Sequence, residues 1–238
     1  MLPRGSRLPL EPGLKKIRAF TYWEKVDDID LSLIGLTQDG RQREFSWRTM
    51  AQNQSDAIVF SGDQTSGYNG GSEYFDIDPA ALRRLYPDIR YLVFCDNVYS
   101  CAPFSSCLCK AGYMSRDILD SGEVFEPKTV VSSFRITCGS TFAFLFGIDL
   151  ETNDLVWLNC ANDSDEAVAG EESLGFLIDD FHTTEAMNMK VFFSMLASEL
   201  VDDPASADVI VTDRAVEAPE GAEVIREYDF ERITALMN

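Results

Sequence analysis

The sequence predicts a mainly β protein: a β-sandwich of two antiparallel sheets with a C-terminal α/β appendage. Three observations lead there. Short runs of β-branched and aromatic residues follow one another from about residue 17 to residue 160, each ended by turn chemistry. Helical spacing is scarce before residue 183. With 45% apolar residues in 238, the chain can also bury a sizeable core.

Taken in order, "IRAFTYW" is β-branched and aromatic, and "DIDLSLIGL" alternates. Its Ile29, Leu31 and Leu33 share one face, while Asp28, Asp30 and Ser32 share the other. "REFSWRTM", "DAIVF" and "EYFDID" read as further strands, Asp76 and Asp78 alternating with Phe75 and Ile77 as on a half-exposed strand. "DPAALRRLYP" is a brief turn of helix opened by Pro79. "RYLVFCDNVYS", "VVSSFRIT", "TFAFLFGIDL" and "DLVWLNC" complete the sandwich, with "QDGR", a glycine-rich loop and "ETND" as separators.

From residue 183 the pattern changes. Met189, Phe192, Phe193, Leu196 and Leu200 stand at helical spacing, with Thr183 or Thr184 as N-cap. "ADVIVTD" and "AEVIREY" read as strands, and "DFERITALMN" as a helix capped by Asp229. The expected organisation is therefore a sandwich domain over 1–182 and an acidic helix–strand–strand–helix segment over 183–238, packed on it through the apolar stripe.

Charge restricts the partners. The chain has 40 acidic and 20 basic residues, a formal net charge of −20. Residues 1–150 hold 19 acids and 16 bases, whereas 151–238 hold 21 acids and 4 bases. That balance opposes nucleic-acid binding, which rests on cations meeting phosphates, and it opposes an anionic membrane surface. No apolar run reaches the roughly 18 residues of a membrane span. The start "MLPRGSRLPLEPGLKKIRAF" is broken by prolines and charges, unlike a signal peptide. The expectation is a cytoplasmic protein with reduced thiols. Cys101, Cys107 and Cys109 cluster, but their C-x5-C-x-C spacing does not suit a zinc knuckle.

The stretch "SGDQTSGYNGGSEYFDID" is the most informative. Its four glycines resemble a phosphate cradle, yet it contains no lysine or arginine. Its side chains offer oxygen instead: Asp63, Gln64, Asn69, Ser72 and Glu73. Asp28 and Asp30, two apart on one strand, project together and repel unless protons or a cation intervene. Calcium takes six to eight oxygens from carboxylates, carbonyls and water, so this donor set suits it. Enzyme templates are missing: there is no G-x-S-x-G elbow, Walker loop or H-E-x-x-H, and the only histidine is His182.

"VDDIDLSLIGLTQDGR", followed by "SDAIVFSGDQTSGYNGGSEYFDIDPAAL" and "PDIRYLVFCDNVYS", resembles the TerD-type tellurite-resistance and stress-protein family over roughly residues 17–160. The resemblance implies a β-sandwich that binds Ca2+ through these two stretches. Asp28 and Asp30 match the strand motif, Asp63 the aspartate after S-G, Glu73 the closing glutamate, and Asn69 a position often held by aspartate. These five residues are the implied metal ligands. The loop is one residue short, and Gly71-Ser72 replaces acidic residues, which lowers the charge count and with it the expected affinity. The functional expectation is a non-catalytic calcium-binding module of a tellurite-resistance type stress response, working with other proteins of such a complex. A metal-free scaffold or interaction module is one alternative; a cation-dependent hydrolase using clustered carboxylates is another.

Overall fold

Alternation along the chain sorts residues between two sheets and a shared interior. The computed structural model describes residues 6–50, 55–100, 102–162, 201, 203–212, 216, 218–226 and 232. The chain divides into two compact units, Met1–Phe181 and His182–Asn238.

In the first unit, six strands form one antiparallel sheet: β1 (Arg7–Pro9), β3 (Ile29–Thr37), β4 (Gln42–Phe45), β7 (Ile89–Val98), β10 (Phe142–Asp149) and β11 (Asp154–Asn162). Their spatial order is β1-β11-β10-β7-β3-β4. The other sheet holds β2 (Lys16–Glu24), β5 (Ile58–Phe60), β6 (Gly71–Ile77), β8 (Leu108–Arg116) and β9 (Val130–Ile136), in the order β5-β6-β2-β8-β9. This is the predicted sandwich. Ile17, Ala19 and Trp23 from β2 share the core with Ile29, Leu31 and Leu33 from β3 and with Leu92 and Phe94 from β7. Contacts between sheets fix their alignment: β6 meets β3, β2 meets β7, and β9 meets β10 and β11. The helix α1 (Pro79–Leu85) is opened by Asp78, whose carboxylate accepts from Ala80 N and Ala81 N at 3.0 and 3.1 Å.

Four local features differ from, or add to, the pattern the sequence suggests. The strand expected over 43–50 ends at Phe45, because Ser46 turns the chain by accepting from Thr49 N and Met50 N. β8 runs through the cysteine-rich stretch, where the apolar pattern is too broken to predict a strand. β3 has no solvated face: beyond Asp30 and Ser32, Ile34 and Leu36 enter a second apolar cluster with Tyr91 and Val93.

Asp76 is the fourth. It is fully buried rather than half-exposed, because the segment between β8 and β9 covers that face of the sheet. Arg18, equally buried, grips it with Nε and Nη2 at 2.6 and 2.7 Å. Arg18 also donates to Ser121 O and Glu123 O, and lies 3.6 Å over the Tyr74 ring. Asp120 N completes the carboxylate at 2.7 Å.

The second unit contains a parallel pair, β12 (Val209–Val211) and β13 (Glu223–Ile225), within the two stretches expected to be strands. The helix with Met189, Phe192, Phe193, Leu196 and Leu200, the caps Thr183, Thr184 and Asp229, and His182 lie outside the described residues. Among the described residues no helix is long and apolar enough to cross a membrane, and the five cysteines are free thiols.

Removing one partner of a buried ion pair leaves an uncompensated charge. Asp76→Ala is therefore expected to destabilise the sandwich by about 3–5 kcal/mol, read as a lower urea midpoint. A loss below about 1 kcal/mol would show that water reaches Arg18.

Candidate metal centre

The glycine loop crosses from β5 to β6 and is stitched to the β2–β3 connection. Gly67 N donates to Asp27 O at 2.6 Å, and Lys25 N donates to Tyr68 O at 2.8 Å. Beneath it lies Trp23, fully buried. A Cβ at Gly67 or Gly71 would fall inside the contact envelope of the indole ring. Those two glycines are required by a tryptophan more than forty positions earlier, not by a need to expose carbonyls.

This packing brings Asp63 onto the start of β3. One carboxylate oxygen each from Asp28, Asp30 and Asp63 lies within 4.8 Å of the others. Asp28 and Asp30 are 7% and 3% exposed, whereas Asp63 is open to solvent. Asp28 Oδ1 and Asp30 Oδ2 are buried without a hydrogen-bond partner. Asp30 is bonded by the side chain of Asn97, its cross-strand neighbour, and Asp28 is tied through its backbone oxygen to Tyr99 N at 3.3 Å.

Glu73 stands behind this trio. It is fully buried, with Oε2 accepting from Leu31 N and Oε1 from Gln64 N, both at 2.9 Å. Gln64 in turn accepts from Ser72 N through its side chain. Both Glu73 oxygens are engaged with backbone, so its place in this geometry is to hold β3 and the loop together. Asn69 is exposed in the turn at 68–69. Of the five ligands suggested by sequence, three converge as carboxylates, one braces them, and one stands on the outer turn.

The electrostatics are those of crowded acids. Burial pushes Asp28 up to about 7, and Asp30, Asp63 and Asp27 add to it. Asp30 rises to about 6 through burial, opposed by the Asn97 amide and reinforced by Asp63. Burial takes Glu73 to about 9 against its two N–H donors, with Asp30 and Asp63 raising it further. Deeper in the core, Asp96 rises to about 8 by burial, against bonds from Thr21 and Cys109. Asp30 acts on it as well. Asn97, Asp96 and Trp23 were not picked out from sequence; the polar pair inside the apolar run "YLVFCDNV" was the available signal.

All-oxygen donors at such spacing suit a hard cation, and the absence of His or Cys from the trio disfavours zinc. No family model, curated protein or solved structure matches the chain.

A carboxyl group with a raised folded-state pKa retains its proton after the unfolded chain has lost it. Stability then falls as pH rises from the unfolded value, near 4, to the folded one. In chelator, the urea midpoint is expected to fall between about pH 4 and 7 as Asp30 and Asp28 ionise, and further toward about 9 with Asp96 and Glu73. Asp28→Asn should be more stable than the parent at pH 8 by about 1–2 kcal/mol, the full shift being discounted for the solvent at Asp63, and not at pH 4.5. Parallel pH profiles for the two proteins would refute strain at Asp28.

Proposed function

We propose that the chain is a TerD-like calcium-binding module of an intracellular tellurite-resistance type stress response, acting through other proteins and not as an enzyme. One observation carries the metal reading. Two carboxylates more than nine-tenths buried each present an oxygen without a partner, beside a third carboxylate. Every charged group acting on Asp28 is itself acidic. A divalent cation at the mouth of this site meets all three charges at once.

Asp28, Asp30 and Asp63 would supply the anionic oxygens, Asn69 and loop carbonyls further ones, and water the remainder. Calcium fits better than magnesium because it accepts irregular shells, whereas magnesium demands near-octahedral geometry and keeps its waters. The family assignment draws on the order and spacing of the two motifs. The non-catalytic role draws on the place of the trio: two of its members are buried where β3 and the loop are braced together by Glu73.

The raised pKa values of Asp28 and Asp30 favour a second reading, a metal-free scaffold whose acids are met by protons. Calcium distinguishes the two. Binding to the folded state alone stabilises by about 2.7 kcal/mol at a hundredfold excess over Kd, on the order of 5–10 °C in Tm for a domain of this size. Millimolar calcium is expected to raise Tm by that order at pH 7.5, magnesium much less, and Asp63→Asn to remove most of the gain. An unchanged melting curve would leave the scaffold reading standing.

A further inference from the structure

The turn that leads into β8 folds against the chain leaving β9. A short helical turn, Phe104–Ser106, precedes β8. Phe104 N donates to Ser140 O at 3.0 Å and Ser105 N to Cys138 O at 2.8 Å, so the two stretches are bonded directly. Within the ladder, Cys109 stands opposite Ile136. Continued by two residues along each chain, that register sets Cys107 opposite Cys138, on the same inward face. Cys107 belongs to the shared core and Cys138 packs against it. Charge on Cys138 reaches both Cys107 and Cys109.

Geometry selects one pair among these free thiols. Residues directly opposed on antiparallel strands have Cα atoms about 4.5–5.5 Å apart, inside the roughly 4.4–6.8 Å that a disulfide spans. Diagonal neighbours such as Cys109 and Cys138 stand about 7–8 Å apart, outside it. Cys107 and Cys109 follow each other along one strand at about 6.8 Å with side chains parallel, at its limit. Access then divides the pair into roles. A cleft of about 540 Å3 opens between the sheets where β9 meets β10 and β11. Cys138 lines it and is half-buried, whereas Cys107 is buried and donates through Sγ to Phe104 O at 3.4 Å. Burial, with Asp96, pushes the Cys107 thiol up, against Arg135. The thiolate is the nucleophile, so Cys107 is a poor first attacker. Cys160 also borders the cleft, but it stands on the other sheet and packs against the second apolar cluster.

We propose that Cys138 and Cys107 are a redox pair that a hydroperoxide converts to a disulfide, Cys138 attacking first and Cys107 resolving. The Cys138 thiolate attacks one peroxide oxygen and the O–O bond breaks. The proton given up by the thiol goes to the leaving oxygen, which departs as water or an alcohol, and Cys138 becomes a sulfenic acid. The Cys107 sulfur then displaces that hydroxyl, the S–S bond forms, and the Cys107 proton leaves with the hydroxyl as water. Two thiols are oxidised for each peroxide reduced. The bond ties the start of β8 to the end of β9. Neither thiol belongs to the acidic trio, so the inference stands apart from calcium.

The test treats the full chain, reduced and then freed of reductant, with hydrogen peroxide, followed by alkylation under denaturing conditions. Loss of two thiols per chain is expected, with peptide fragmentation placing the link between Cys107 and Cys138 and dithiothreitol restoring both. Cys138→Ser should lose no thiol under the same treatment. Cys107→Ser should stop at the sulfenic acid, which dimedone labels at Cys138. If the variant at the buried position does not fold, the link mapped in the unaltered chain decides alone. Thiols left intact under excess peroxide, a link from Cys138 to Cys109, to Cys160 or to another chain, or oxidation of Cys138 beyond the sulfenic acid with Cys107 still free would each overturn the proposal.

Discussion

Glu73 is sealed between the sheets and accepts one N–H from β3 and another from the glycine loop. A buried carboxylate is costly unless its oxygens are met, and here the two donors come from separate parts of the fold. Satisfying Glu73 therefore fixes β3 of one sheet against the loop of the other. Asp63, next to Gln64, is carried into place by the same bond. The trio is a consequence of that latch: without it, Asp63 would belong to an ordinary surface turn.

Two further constraints reinforce the geometry. Trp23 occupies the space under the loop and admits only glycine at 67 and 71. Asp96 crosses between the sheets to the Thr21 hydroxyl at 2.7 Å. Asp30 acts on both Glu73 and Asp96, so charge at the mouth of the site is felt inside the core. A cation on the trio would ease the ionisation of all of them, which couples occupancy to the cohesion of the two sheets. The opposite edge has no such brace, and the sheets part there into the cleft lined by Phe134 and Trp157.

Much of this was legible in the residues. β2, β3, β6, β7, β10 and β11 announce themselves by aromatic and β-branched runs, and Asp28, Asp30 and Asp63 by their place in two ordered motifs. β8 is obscured in the sequence because Lys110, Gly112 and Ser115 dilute its apolar pattern. The burial of Asp76 is not legible locally, because alternation reports which residues share a face, not whether that face is covered. The roles of Glu73, Gly67 and Gly71 could not be read locally. Each depends on a partner brought near only by the stacking of the sheets: Leu31 for the first, Trp23 for the other two.

The most direct test is a crystal structure grown in saturating calcium. One ion is expected at about 2.3–2.6 Å from oxygens of Asp28, Asp30 and Asp63, the ordinary calcium–oxygen range, with Glu73 still bonded to Leu31 N and Gln64 N. An ion that takes Glu73 away from those backbone donors, or a trio that binds no ion at saturation, would contradict the account.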